Sequence, residues 1–219
     1  MNLPVHPNAP VAATLLAAGL GRRLGGVPKS ALLIDGESLF ERLVRALRAS
    51  GIEAISAVVG PYADTLLALA GRCDVRVIRH SDPAAELAAS QRLAMHEHLR
   101  HHPGADLMLL VADLPLLAAD DIRPLLKAWA QRPGHTQAQV PVVRGVRGHP
   151  VLLSWQAVQA VAEQPWPQGV RAWMQGSIDA TQMLKTDRDA YVTDLDTPDD
   201  LQALRSRLAG VRIAWPEQP

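Results

Sequence analysis

The sequence predicts an α/β fold in which helices cover both faces of an open parallel sheet. Three observations carry this. Apolar runs of strand length alternate with amphipathic segments of helix length, the pattern of βαβ units. The run Leu107–Ala112 (LMLLVA) is apolar at every position, as in a strand buried on both faces. A loop with glycines at 19, 21, 25 and 26 and cations at 22, 23 and 29 follows the first apolar run. Ligands of open α/β sheets bind beyond the carboxyl ends of the strands, so this loop and Asp113 are expected at one edge.

The elements follow in order. Val11–Ala17 reads as a buried first strand. An amphipathic helix over Leu39–Ala49 is closed by Gly51, and a strand over Ala54–Val59 ends at Gly60-Pro61. A helix over Tyr62–Ala70, closed by Gly71, leads to a short strand over Val75–Arg79. Helices over Glu86–Arg100 and Ala119–Gln131 flank the apolar strand. From about residue 138 short strands dominate: Ala138–Val143, Thr181–Lys185 and Tyr191–Leu195, around helices over Trp155–Glu163 and Val170–Gln175. Thr197-Pro198-Asp199-Asp200 starts a last helix: Thr caps, Pro suits the first helical position, and acids suit the first turn.

At 219 residues the chain is expected to form one domain over 11–210, with a disordered lead-in over 1–10 and a loose tail over 211–219. Zero formal net charge argues against a nucleic-acid or membrane partner. The cations cluster locally instead, at Arg22, Arg23 and Lys29 and again at Arg144 and Arg147, which suits a small anionic ligand. The single cysteine, Cys73, rules out a disulfide framework and is expected to be a buried, inert thiol. The first ten residues have no basic start or secretory core, and Val11–Ala18 is far too short to cross a bilayer. A cytoplasmic protein is expected.

Glycine tolerates backbone angles other residues avoid and lets amides approach a ligand, so the loop is a place to hold phosphates. A dinucleotide fingerprint fails: the third glycine is displaced by one, and Gly26 and Pro28 would break the helix it needs. That sets aside a nicotinamide-dependent dehydrogenase. A P-loop fails too, because Pro28 precedes Lys29-Ser30. A loop that wraps a nucleoside triphosphate without starting a helix remains.

Asp113 ends the most apolar strand and is followed by Leu114-Pro115. Magnesium usually takes one or two carboxylates, with waters and substrate phosphates completing its octahedron, and Asp113 is placed for that; capping of a following helix is the plainer alternative. Asp194 and Asp196 lie two apart, so they point the same way from a strand end. One of them completes a metal site or caps the last helix. The run His96–His102 lacks the spacing of a zinc-protease motif and reads as a solvated helix end, with His98 and His102 on one face.

Together these segments resemble the MobA-like NTP transferase domain family, nearest its molybdenum-cofactor cytidylyltransferase branch. The resemblance covers about 11–208: the opening loop Leu15–Lys29, Val111-Ala112-Asp113-Leu114-Pro115, Arg147-Gly148-His149-Pro150-Val151-Leu152, Gly169-Val170-Arg171-Ala172, and Asp194-Leu195-Asp196-Thr197-Pro198-Asp199-Asp200. The loop marks the superfamily; the Gly-His-Pro-Val and Asp-Leu-Asp-Thr-Pro runs are more specific. The resemblance implies a Rossmann-like three-layer α/β/α, GT-A-type nucleotidyltransferase fold with a mostly parallel mixed sheet.

It implies a reaction in which an acceptor phosphate attacks the α-phosphorus of a nucleoside triphosphate and pyrophosphate leaves. CTP is the favoured nucleotide, because Ala18 stands where the guanylyl side carries glycine, and molybdopterin is the favoured acceptor. Nucleotide contacts fall to Leu16, Ala17, Ala18, Gly19, Gly21 and Ser90. Arg23 is expected on the β- and γ-phosphates, and Lys29 near the α-phosphate. Asp113, with Asp196 or Asp194, is expected to hold Mg2+, and Gly148, His149 and Pro150 face the acceptor. A molybdoenzyme or its chaperone is the expected transient partner. Glu86 departs from the pattern, standing where the resemblance expects a small residue. A sugar- or alditol-phosphate nucleotidyltransferase, and a non-catalytic nucleotide-binding accessory protein for molybdoenzyme maturation, are the alternatives.

Overall fold

The computed structural model describes residues 9–60, 62–80, 87–165 and 167–216. Glu86 and most of the lead-in lie outside the described residues. The elements are β1 (Val11–Ala17), β2 (Leu33–Ile34), β3 (Glu37–Ser38), α1 (Leu39–Ala49), β4 (Ile55–Val59), α2 (Ala63–Arg72), β5 (Arg76–Arg79), α3 (Leu87–His101), β6 (Asp106–Val111) and α4 (Ala119–Ala130). They continue as β7 (Ala138–Val143), β8 (Val146–Arg147), β9 (Val151–Leu153), α5 (Trp155–Ala162), α6 (Val170–Gly176), β10 (Thr181–Lys185), α7 (Pro198–Arg207) and β11 (Ile213–Ala214).

The main sheet runs β10-β7-β9-β6-β1-β4-β5, with β8 hanging on β7. All of its pairs are parallel except those of β9 with β6 and β7, and of β8 with β7. It is the mostly parallel mixed sheet expected. Side chains alternate across each strand. Leu15, Val59 and Met108 therefore pack under α1, α2 and α4, with Phe40, Leu66 and Trp129. Leu16, Val58 and Leu109 pack on the other face under α3, α5 and α6, with Met95, Val158 and Trp173. This is the three-layer α/β/α arrangement. Among the described residues no helix is long and apolar enough to cross a membrane.

A smaller sheet, β11-β2-β3, was not anticipated. Asp35 and Gly36 both adopt positive φ, 56° and 85°, the geometry of a tight hairpin turn. Ser38 then caps α1 and closes a capping box with Glu41. Under this sheet Leu32, Ile34, Leu39, Leu195, Leu201 and Leu204 form a separate apolar cluster. It ties the segment after Lys29 to the segment around Asp196. The tail is not loose here: Ile213 and Ala214 pair with Ile34 and Leu33.

Four further expectations need correction. Residues 191–195 form no strand; a 3-10 turn, Asp189–Tyr191, leads into irregular chain. Gly71 lies inside α2 rather than ending it. His98 is not solvated: it is 2% exposed, and its Nε2 donates to the Ala105 carbonyl at 2.8 Å. Cys73 is half-buried rather than buried, and burial pushes its thiol pKa up.

Candidate functional site

The site is assembled at the carboxyl ends of β1 and β6 by three loops. The first leaves β1 at Ala18. Gly21, Gly25 and Gly26 all adopt positive φ, which glycine alone does without strain. A Cβ at 21 would run into the Val27 carbonyl. Leu24 and Gly26 both donate from their amides to the Gly21 carbonyl, closing a turn over Arg22–Leu24. Among the described residues no hydrogen bond uses the amides of Ala18, Gly19 or Gly21. A second turn, Lys29–Ala31, then brings Lys29 back beneath the loop.

The second loop carries Asp113 from the end of β6. The capping alternative fails for it, because α4 begins at Ala119 with Ala118 as its cap. The third loop carries Tyr191–Asp196. Backbone bonds lock it in place: Leu195 donates to the Asp113 carbonyl at 3.0 Å and His149 to the Tyr191 carbonyl at 2.8 Å. The Tyr191 hydroxyl donates to the Asp121 carbonyl at 2.6 Å. Gly148 is required beside it, since a Cβ there would run into the Tyr191 carbonyl. Capping of α7 falls to Thr197, which accepts from the Asp200 amide, so Asp196 is free for other work.

Lys29 joins the loops. Its ammonium donates to Asp113 Oδ2 at 2.8 Å and also to Asp196 Oδ1. Arg23 Nη2 donates to Asp196 Oδ2 at 2.7 Å. Burial works to lower the Lys29 pKa, but Asp113 and Asp196 outweigh it and hold it above its usual value. Burial likewise works to raise the Asp196 carboxyl, but Lys29 and Arg23 hold it below the usual carboxylate range. Asp194 goes the other way. Burial, with the charges of Asp196 and Asp113 beside it, raises its pKa. His149 is pushed down by burial.

These groups line a cleft of about 540 Å³. Of the residues singled out in the sequence, Leu16, Ala17, Ala18, Gly19, Lys29, Ser90, Asp113, Gly148, His149, Asp194 and Asp196 all line it. Three expected residues stand apart. Gly21 shapes the loop from behind, Arg23 lies on its outer side against Asp196, and Pro150 is buried behind His149, joined to it by a cis peptide bond. Arg144 pairs with Asp189 outside the cleft. Among the described residues no group of three His, Cys, Asp or Glu side chains forms a ready metal cage.

One contributor was missed. The Tyr62 hydroxyl donates to the Leu20 carbonyl at 2.8 Å and is shared with the Gly26 carbonyl. It straps together the two ends of the segment that holds Arg22 and Arg23. The available signal was its place two residues after Gly60, at the ligand-binding edge of β4. Gly60 matters there as well, because a Cβ would press on Ala18.

The MobA-like NTP transferase domain matches residues 13–184. The chain is 30% identical over 236 residues to the bifunctional IPC transferase and DIPP synthase of Rubrobacter xylanophilus, covering 91% of this chain but only 52% of that protein. The chain thus spans about half the length of this curated relative. It is 28% identical to the molybdenum cofactor guanylyltransferase of Pseudomonas syringae, covering 78% of this chain and 80% of that one. Among solved structures, Rv0371c from Mycobacterium tuberculosis superposes with a TM-score of 0.73 at 25% identity, over 91% of this chain and 99% of the other.

Proposed function

Because the chain belongs to the MobA-like NTP transferase domain family, we propose that it transfers the nucleoside monophosphate part of a nucleoside triphosphate to a phosphorylated acceptor. CTP is the preferred nucleotide and molybdopterin the preferred acceptor. One observation carries the reading: the Lys29 ammonium is fixed between Asp113 and Asp196, below open amides of a glycine loop, in a cleft of nucleotide size. The choice of CTP rests on Ala18, which stands where the guanylyl side of the family carries glycine.

In the reaction an oxygen of the acceptor phosphate forms a bond to the α-phosphorus. The bond from that phosphorus to the bridging oxygen breaks, and pyrophosphate leaves with the electron pair. A phosphate monoester is already ionised near neutral pH, so the site needs no general base. The difficulty is bringing two polyanions together, and positioning with electrostatic stabilisation answers it. The amides of Ala18, Gly19 and Gly21 cradle the triphosphate. Lys29 neutralises charge near the α-phosphate, and Arg23 closes over the β- and γ-phosphates. Removing one such charged group typically raises the barrier by ~3–4 kcal/mol, by analogy with oxyanion donors.

The donor set fits magnesium. Asp113, Asp194 and Asp196 bring hard oxygens to one cleft, and the buried Oδ1 of Asp113 has no hydrogen-bond partner. One or two carboxylates suffice when phosphate oxygens complete the shell, so the lack of a three-ligand cage is no obstacle. Asp113, with Asp194 or Asp196, would hold the ion, which when bound supplies positive charge to the triphosphate. A reaction that consumes a nucleoside triphosphate fits a cytoplasmic setting.

Pyrophosphate release tests the reading. With purified protein and Mg2+, CTP, GTP, ATP and UTP are compared with and without molybdopterin. Release with CTP that requires molybdopterin is expected. Release only with another phosphorylated acceptor would move the substrate, and binding without release under all pairs would favour the accessory-protein alternative.

A further inference from the structure

The cleft does not end at His149. A second cavity of about 500 Å³ continues from it, and the two share Leu87, Val146, Arg147, Gly148 and His149. Their chemistry differs. The first holds Asp113, Asp194 and Asp196. The second has no carboxylate among its described lining residues; its walls are Val140, Val151, Val170 and Met174, with two arginines, Arg147 and Arg171.

Neither arginine side chain has a hydrogen bond or ion pair with a described residue. This contrasts with Arg144 nearby, which pairs with Asp189, and with Arg188, which pairs with Asp121. Arg147 belongs to both cavities and so stands at their junction, whereas Arg171 belongs only to the second. Arg171 is itself exposed, on a helix start that is anchored: the Gln91 side chain of α3 accepts from the Val170 amide at 3.1 Å, and a Cβ at Gly169 would run into that same Gln91 oxygen.

The junction is also apolar where water would favour polar groups. Leu87 is 55% exposed and Val146 57% exposed. Leu87 comes from the start of α3. Val146 is displayed by the β7–β8 turn, in which Arg144 and Gly145 both take positive φ. Exposed large apolar side chains that line a cavity mark a ligand surface.

We propose that the second cavity holds the body of the acceptor, and that this acceptor carries a flat or apolar body and, besides its reactive phosphate, a second anionic group that pairs with Arg171. The proposal rests on the transferase reading above. The reactive phosphate lies at the junction, where Arg147 faces the Lys29 side. The body lies between Leu87 and Val146 and along the valine wall. A small hydroxylated acceptor would leave these apolar surfaces wet and Arg171 without a partner.

Calorimetric titration of the full chain with three probes tests this: glycerol 3-phosphate, phenyl phosphate and 4-carboxyphenyl phosphate. The expected order of affinity is 4-carboxyphenyl phosphate, then phenyl phosphate, then glycerol 3-phosphate. Arg171→Ala should weaken 4-carboxyphenyl phosphate by about tenfold, as for loss of one charge-assisted hydrogen bond, and leave phenyl phosphate within about twofold. Val146→Ser, at the exposed first residue of β8, should weaken both aromatic probes and not glycerol 3-phosphate. Equal binding of the three probes, or equal weakening of all three by Arg171→Ala, would overturn the proposal. CTP titrated separately reads the transferase assignment: failure of CTP to bind the unaltered chain would defeat that assignment, whereas failure of the probe series with CTP bound normally would defeat only the acceptor proposal.

Discussion

Lys29 reaches Asp113 and Asp196 because the chain before it turns sharply through Gly21, Gly25 and Gly26. Tyr62 holds that turn. Tyr62→Phe keeps the ring and removes only the hydroxyl, so the loop loses its strap to Leu20 and Gly26. The expected result is a rise of about fivefold in KM for the nucleotide, of the order of one neutral hydrogen bond, with kcat changed much less. Trypsin should also cut faster at Arg22 and Arg23 in the variant; unchanged KM and cleavage would remove Tyr62 from the loop's support. Gly148→Ala should lower turnover through the same logic, because the added Cβ must displace Tyr191 and the Asp194–Asp196 segment that follows it. Asp113, Lys29, Asp194 and Asp196 were legible in the sequence, since each sits at a loop marked by glycine, proline or the end of an apolar run. Tyr62 was not. Its role exists only once β4 has been laid beside β1, and nothing in a local window records that neighbour.

The elements were read well wherever burial imposes a period. The bounds of α1, β7 and β10 match the expectation, and β4, β5, β6 and α4 differ by a residue or two at their ends. The expected strand over 191–195 failed for a reason of topology. Thr193-Asp194-Leu195-Asp196 alternates polar and apolar residues as a strand does. β6 is paired by β1 up to Val111 and by β9 up to Leu109, and the segment meets the chain only beyond that strand, where Leu195 donates to Asp113. That irregular course is what turns Asp194 and Asp196 toward the cleft. The Asp35-Gly36 signal for the β2–β3 hairpin was present and went unread. At the far end of β6 a different charge pair is purely structural. Asp106 accepts from Arg132 at 2.8 Å, from the Trp129 ring nitrogen at 2.9 Å and from the Trp155 amide at 3.0 Å. Both side chains are almost wholly buried, and stranding one charge of such a pair costs about 3–5 kcal/mol. Asp106→Ala should therefore lower unfolding free energy by about that amount, measured in urea, while CTP affinity of the folded protein stays unchanged.

For the whole molecule, the sheet puts every proposed chemical group at one edge and leaves stability to be set elsewhere. His98 shows the separation. It is buried beside His102 and Trp155, and its Nδ1 has no partner. Burial lowers its pKa from 6.5 to about 4. The folded state therefore refuses a proton that the unfolded chain accepts, so stability is full above pH 6.5 and is lost as pH falls toward 4. The loss between pH 7 and pH 5 should be about 2 kcal/mol, and His98→Gln, which retains an N–H donor, should flatten that dependence. If the slope is the same in the variant, His98 is not its source. The central claim concerns the other edge, that the ammonium between Asp113 and Asp196 is the phosphate clamp of a nucleotidyl transfer. Its most direct test is pyrophosphate release by Lys29→Met compared with the unaltered chain, both with saturating CTP, Mg2+ and molybdopterin, with melting curves to show that both are folded. The account predicts that turnover falls by about a hundredfold or more, as for loss of one preorganised charge at the reacting centre. A folded Lys29→Met protein that releases pyrophosphate at the unaltered rate would contradict it.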